Sequence, residues 1–334
     1  HEPDAYVDEK TMTKISKLLG LMTHPDLQCP MDEGLEDYAW FLIVAVLCTK
    51  LNSEHGKIRY YHTAVLEICR KNFKTFNSAV IFILLMLTDQ QFSRFFSVAP
   101  DLKLSKELQL AIKKIIKVSP HLVTSFKLLR SEIRCLITES DYTPLAYSED
   151  KMDGKLANAF LADEAGAMDS YPVEAMRSSQ ITLFNKLGII ISTQYPNDNN
   201  CMIDEIDISK KTLDGLLADK RRFALLYEPD DEFLSNDQWM TNDLVIYQSN
   251  PVAVVHDYIF ENLVNMRDMA ILYENKRENY LCKHNNIKYK GLGTEGYIDV
   301  TRVQACKIPA EALFWKGKRV YIGLDLSLSE DNVA

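Results

Sequence analysis

Two short segments of this chain carry residue types that could do phosphate chemistry. Cys69-Arg70-Lys71-Asn72-Phe73-Lys74-Thr75 lies between an apolar run (Val65, Leu66, Ile68) and a longer one from Ala79 to Leu87. Further along, Ala159-Phe160-Leu161-Ala162-Asp163-Glu164 reads as an apolar strand that ends in two adjacent carboxylates. Lys-Thr at the opening of a helix, followed by a strand ending Asp-Glu, supplies the parts that nucleoside triphosphate hydrolysis needs. The segment from Arg70 to Thr75 would form the phosphate cradle, with Lys74 as its point charge and the Thr75 hydroxyl as a magnesium ligand. Asp163 would complete the protein's share of the magnesium shell, and Glu164 would polarise the attacking water.

The spacing alone does not make the motif. Ile68 and Phe73 stand at the two positions where the full loop pattern has glycine, and glycine before the lysine normally lets the backbone approach the phosphates. Taken singly, one segment is a basic turn and the other a common strand end. Their order and the elements between them favour the functional reading over the bland one.

Those elements must hold the residues at one edge. The texture from Tyr60 is strand and helix in alternation, with strands expected at Thr63–Cys69, Phe95–Ala99, Ile133–Thr138, Ala157–Leu161, Gly188–Thr193 and Phe223–Tyr227. Helices are expected over Thr75–Leu87 and Ser105–Lys117, and from Pro172 to Leu183. Such alternation predicts an α/β fold with a mostly parallel sheet covered by helices on both faces. With the two segments above, it reads as a P-loop NTPase of the ASCE (additional-strand) type. The strand after the carboxylates ends Ser192-Thr193-Gln194, so three polar strand ends meet at the carboxyl edge, where ligands of open α/β sheets bind.

Four regions follow from this pass. Residues 1–60 read as an N-terminal helical segment, with Leu35–Leu51 apolar nearly all round. Residues 61–229 form the ATPase core. From Asp230 the composition shifts to Asp, Asn, Trp and Tyr, with a helix expected over Val255–Tyr273, which makes 230–312 a small helical linker or lid subdomain. Residues 313–334 hold one strong strand, Arg319–Ser327, with Asp325 in its middle.

Composition excludes several classes. The 334 residues are 47% hydrophobic, too apolar for a disordered chain. Phe41–Cys48 and Val80–Leu87 are each far below the roughly 18 residues that span a bilayer, so no membrane association is expected. The seven cysteines are scattered without a CxxC pair, as in reduced cytosolic proteins. A formal net charge of −9 argues against coating DNA by charge alone. Gly291-Leu-Gly293-Thr-Glu-Gly296 matches the dinucleotide fingerprint by letter, but it follows a polar stretch and precedes a strand-like run, so a loop is the better account.

The ordered set Arg70-Lys-Asn-Phe-Lys-Thr75, Phe160-Leu-Ala-Asp-Glu164, Ile190-Ile-Ser-Thr193, Trp239 with Asn250-Pro251, and Ile322-Gly-Leu-Asp-Leu-Ser327 resembles the large terminase subunit of tailed bacteriophages. The resemblance runs from about residue 35 to the end. It implies an ATP- and Mg2+-dependent motor that drives double-stranded DNA through a portal protein into a procapsid, in the host cytoplasm and together with a small terminase subunit. It implies roles by position: Arg70 as the basic residue touching phosphates beside Lys74, Ser192, Thr193 and Gln194 as the coupling segment, and Asp325 as the first metal-binding aspartate of an RNase-H-like nuclease. Where the family shows a glutamine that reads adenine, Ala39 stands here. Two-metal hydrolysis needs carboxylates around both ions, about 4 Å apart, so Asp325 alone predicts no nuclease activity from this chain.

Motors of this kind act as rings, so a homo-oligomer is expected on assembly, a monomer in isolation, and an arginine supplied by a neighbour, with Arg130, Arg134 and Arg177 as candidates. Two other readings stay open on the residues alone. A catalytically silent P-loop scaffold on portal or DNA is favoured by Phe73 and Ala39 and opposed by Lys74, Thr75, Asp163 and Glu164. A helicase-like DNA translocase would share the same parts but need further motifs.

Overall fold

The computed structural model describes residues 5–147, 155–197, 199–234 and 237–289, together with 305, 306, 317 and 319. The chain divides into two compact units, 1–289 and 290–334. Asp325 and the glycines of 291–296 lie outside the described residues.

Along the first unit, strand β1 (Ala5–Val7) leads into helices α1 (Glu9–Gly20), α2 (Met31–Gly34) and α3 (Asp37–Ile43). A hairpin of β2 (Thr49–Ser53) and β3 (Gly56–Arg59) follows, then β4 (Thr63–Glu67) and α4 (Lys74–Thr88). Next come β5 (Arg94–Val98), α5 (Leu102–Val118), β6 (Phe126–Leu128), β7 (Ile133–Cys135), β8 (Asp141–Pro144) and β9 (Ala159–Asp163). The unit continues with α6 (Tyr171–Ser179), β10 (Leu187–Ser192), α7 (Cys201–Leu213) and β11 (Arg222–Leu226), and closes on α8 (Leu244–Ser249), α9 (Asp257–Leu272) and α10 (Arg277–Asn285).

Eight strands make one sheet in the order β11-β4-β10-β9-β5-β8-β7-β6, parallel from β11 to β8, with β7 and β6 antiparallel at the far edge. The loop-bearing strand β4 and the carboxylate strand β9 are separated by β10, the arrangement of the additional-strand class. Strand β10 thereby becomes the one element that touches both halves of the site.

The period of two sorts the apolar residues onto two faces. Ala64, Leu66, Ala159, Leu161, Ile189 and Ile191 join α1, α3, α4 and α5 in the larger core. Val65, Phe160, Ala162 and Ile190 join α6 and α7 in the second. Helix α4 is buried from Ala79 to Met86 without exception, because it sits inside the larger core, with α5 packed along it and residues of α1, α3 and the sheet in the same cluster. A helix apolar all round is stable only in such a position. Two smaller clusters organise α8, α9 and α10 around Val245, Ala270, Tyr280 and Ile246.

The helical reading of residues 1–60 needs correction. Residues 49–59 are a hairpin, and β2 pairs with β1 to give a separate three-stranded antiparallel sheet. The expected helix over Leu35–Leu51 spans α3 and one wider turn to Cys48, then stops. The apolar run ends there, and the polar residues from Lys50 to Lys57 turn at Gly56, whose φ of 89° suits glycine. Among the described residues no helix is long and apolar enough to cross a membrane.

Candidate active site

The loop between β4 and α4 is built by anchors from four directions. At its start, the Ile68 amide donates to the Ser192 carbonyl at the end of β10 (3.1 Å), and the Arg70 amide donates to the Lys283 carbonyl of α10 (2.9 Å). In its middle, the Asn72 side chain is buried and donates to Asn250 Oδ1 (2.8 Å) and the Cys69 carbonyl (3.2 Å), while its Oδ1 accepts from the Val252 amide. The Asn72 carbonyl accepts from the Tyr38 hydroxyl, which in turn accepts from Asn77 Nδ2. Side chain and carbonyl of Asn72 are therefore both loop anchors, and the residue is buried.

Phe73 occupies the left-handed region at φ 58° and immediately precedes α4, with its ring 40% exposed. Lys71 is also left-handed, at φ 71°. The backbone shape that glycine normally supplies is kept here by two non-glycine residues, at a strain of about 1–3 kcal/mol each that the anchors must offset. Phe73 itself lines the cleft that Arg70, Lys74, Thr75 and Glu164 share. No side chain caps the first turn of α4, so its amides are left to an anion.

Lys74 and Thr75 open α4 and reach β9. Lys74 Nζ lies 2.6 Å from Glu164 Oε1, and Thr75 Oγ1 donates to Asp163 Oδ2 at 3.0 Å. Asp163 ends β9, and Glu164 follows at a left-handed φ of 56°, its amide donating to Asp163 Oδ1. Burial pushes the Asp163 carboxyl above its ordinary range, with Lys74 opposing. For Glu164 burial pulls the same way, but Lys74, Tyr195 and Arg70 together hold the carboxylate below its ordinary range. The two neighbouring acids are thus shifted in opposite directions.

Ser192 to Gln194, the expected coupling segment, lie between these parts. Ser192 Oγ accepts from the Gly166 amide (2.9 Å), tying the end of β10 to the turn after Glu164. Thr193 is buried, and its hydroxyl finds no partner among the described residues. The Gln194 amide donates to Asn286 Oδ1 (3.0 Å), and its carbonyl accepts from Lys283 Nζ (3.3 Å). Burial, with Arg70 adding to it, pulls Lys283 down to about 7.

A cleft of about 1230 Å³ runs between the loop and α9–α10, lined by Arg70, Lys74, Thr75 and Glu164 on one wall and by Asn262, Met266 and Asn279 on the other. A second, of about 470 Å³, reaches Thr75, Asp163 and Glu164 from the α5 side. Thr75 and Glu164 line both. Thr75 and Asp163 present hard oxygen donors that fit magnesium, which keeps most of its shell as water and phosphate oxygen. Among the described residues there is no cluster of three or more His, Cys, Asp or Glu side chains that could hold a metal by themselves.

A model of the terminase large subunit ATPase domain matches residues 44–211. The chain belongs to that family. The matched stretch contains Arg70 to Thr75, Asp163, Glu164 and Ser192 to Gln194, whereas Asn250, Lys283 and the α9–α10 wall of the cleft lie beyond it. No curated protein matches the sequence. Among solved structures, the large terminase of bacteriophage HK97 is similar over 85% of this chain at 19% identity and a TM-score of 0.66. The ATPase domain of the Thermus phage P74-26 large terminase aligns with 69% of this chain and 90% of its own, at 12% identity and a TM-score of 0.45. The large terminase of another thermophilic bacteriophage, solved in complex with ADP, aligns with 55% of this chain and 46% of its own, at 10% identity and a TM-score of 0.41. The chain spans 56% of the HK97 terminase, and that likeness establishes the shared terminase fold.

Within the terminase frame, Ala39 is fully buried in α3, so its methyl faces core. Of the three candidate arginines, Arg177 is committed to Glu174 (2.8 Å) and buried Glu205 (2.7 Å). Arg134 pairs with Glu132 on an exposed edge, and Arg130 is exposed. The motif reading missed Tyr38, Asn77, Tyr195 and Lys283. The role of Asn250 was signalled only by its turn with Pro251. Asn250 Nδ2 donates to the carbonyls of Ile246 and His284 while its Oδ1 takes Asn72, so one amide joins the loop to α8 and α10. We expect Asn250→Ala to lower unfolding free energy by about 1–3 kcal/mol, read by urea denaturation, because it leaves buried polar groups without partners.

Proposed function

We propose that this chain binds ATP with Mg2+ at the Arg70–Thr75 loop and hydrolyses it, and that hydrolysis drives double-stranded viral DNA into a procapsid. In this reading Lys74 and Arg70 neutralise the β- and γ-phosphates and the amides at the start of α4 receive them. Thr75 and Asp163 hold the magnesium, whose charge would offset that developing on the phosphates, and Glu164 takes the proton of the attacking water. The observation that carries the reading is the convergence of Lys74 and Thr75 with Glu164 and Asp163 at 2.6 and 3.0 Å across the gap between α4 and β9.

The silent-scaffold alternative rests on Phe73 and Ala39. Phe73 has the left-handed backbone that the loop pattern takes from glycine, and Lys74, Thr75, Asp163 and Glu164 come together at hydrogen-bonding distance, so turnover is the better reading. Ser192 to Gln194 would report the state of the site to α10 through Asn286 and Lys283. Portal protein, small terminase subunit and a homo-oligomeric ring in the host cytoplasm complete the proposal, with Arg130, or Arg134 released from its exposed pair with Glu132, acting in a neighbour's site.

Equilibrium titration with a fluorescent ATP analogue tests the binding half. Lys74→Ala is expected to weaken binding by tenfold or more, since it removes a charge-assisted contact of about 1.5–3 kcal/mol. Equal affinity in wild type and variant would place the nucleotide elsewhere.

A further inference from the structure

Tyr195 belongs to no motif, yet it bonds directly to the carboxylate of the proposed base. Its hydroxyl donates to Glu164 Oε2 at 3.1 Å. The positive charge of Arg70 bears on the same hydroxyl, opposing the upward push of burial and of Glu164. The ring fills the space above Gly166, where an added Cβ would collide with Tyr195 Cδ2. On the opposite side the Lys283 amine lies against the ring while donating to the Gln194 carbonyl. The phenol is therefore gripped by the turn after β9 and by α10.

We infer that Tyr195 is a positioning residue for Glu164, and that α10 controls that positioning through Lys283. The inference rests on the proposed ATPase reading and deepens it. Glu164 has two oxygens and two tethers: Oε1 lies on Lys74 and Oε2 on Tyr195. A triphosphate competes for Lys74, since its γ-phosphate is the better anion for a lysine at the start of a helix. Once Lys74 turns to phosphate, Oε1 is free to accept a proton from water, and the Tyr195 hydroxyl is what keeps the carboxylate from swinging. A carboxylate held by one oxygen presents the other in a fixed direction, which is the geometric requirement for a base. The same residue adjoins the coupling segment, so a shift of α10 would move Lys283, then the ring, then the base. Movement in the linker helices would thereby set the hydrolysis rate without any contact to ATP.

The test is steady-state ATP hydrolysis by the full chain with Tyr195→Phe, which removes only the hydroxyl. We expect kcat to fall roughly tenfold with KM and fluorescent-ATP affinity unchanged, the loss of one hydrogen bond to a charged group. Lys283→Met should lower kcat in the same way, and Lys283→Arg, which restores a donor beside the ring, should recover most of it. Wild-type kcat in Tyr195→Phe, beside an inactive Glu164→Gln, overturns this inference and leaves the ATPase reading standing. A raised KM with intact kcat would assign the phenol to nucleotide contact and also overturn it. Full activity of Glu164→Gln would instead overturn the ATPase reading itself.

Discussion

Glu164→Gln should bind ATP at least as well as the wild type and hydrolyse it about 10²–10⁴-fold more slowly. The rate effect is the range found when a positioned general base is removed. The binding effect follows from geometry: Lys74 Nζ spends its charge on Glu164 at 2.6 Å, and a neutral amide competes less well with an incoming phosphate. Gln also keeps an oxygen to accept from Tyr195, so the turn at φ 56° should survive. Single-turnover hydrolysis beside equilibrium binding separates the two effects. Loss of binding in this variant would mean that Glu164 is structural.

The second large effect lies away from the site. Glu205 on α7 is buried and takes Arg177 of α6 at 2.7 Å and Arg222 of β11 at 2.6 Å. One carboxylate thus pins three elements against the second face of the sheet. Glu205→Ala would leave Arg222 with Asp219 and Arg177 with Glu174 as remaining partners, and losing the shared buried carboxylate costs about 3 kcal/mol, the low end of the range for breaking a buried pair. Urea denaturation should show that loss, while activity per folded molecule stays near wild type. The pH dependence has a definite sign. Burial raises the Glu205 pKa, but Arg177 and Arg222 outweigh it and leave the folded value depressed. Its contribution is therefore present above the ordinary glutamate range and lost as pH falls through the folded value. The acid side of the stability profile should flatten in Glu205→Ala.

The fold was legible where strands are buried on both faces. Thr63–Cys69, Phe95–Ala99 and Gly188–Thr193 announce themselves as short apolar runs because a parallel sheet covered by helices leaves no polar face. The hairpin at Thr49–Arg59 was not legible, since its strands are half-exposed and its residues Leu-Asn-Ser-Glu-His-Gly carry no such run. Sequence pattern ends the carboxylate strand two residues early, because Asp163 is buried inside the strand while reading as polar punctuation.

The site divides in the same way. Lys74, Thr75, Asp163 and Glu164 could be found because type and order betray them. Asn72 meets Asn250 across 178 positions, Tyr195 meets Glu164 across 31, and Lys283 meets Gln194 across 89. Such partners are fixed by the packing of α8–α10 on the loop, and no local pattern encodes that packing. Phe73 shows the opposite limit. Its identity argued against the motif, but the motif depends on a left-handed backbone, and anchors on either side can enforce that on a residue with a Cβ.

Those anchors also join the loop to the helices that follow β11. The Arg70 amide, Asn72, Gln194 and Tyr195 are each bonded to or packed on the segment from Asn250 to Asn286, so the loop and the coupling segment share one support. Occupation of the phosphate cradle would strain or relax both together.

The most direct test of the central claim is phosphate release from ATP by this chain, measured with magnesium, with EDTA, and in Lys74→Ala. The account predicts release that requires magnesium and falls to background in the other two conditions. Release at one rate in all three would contradict it.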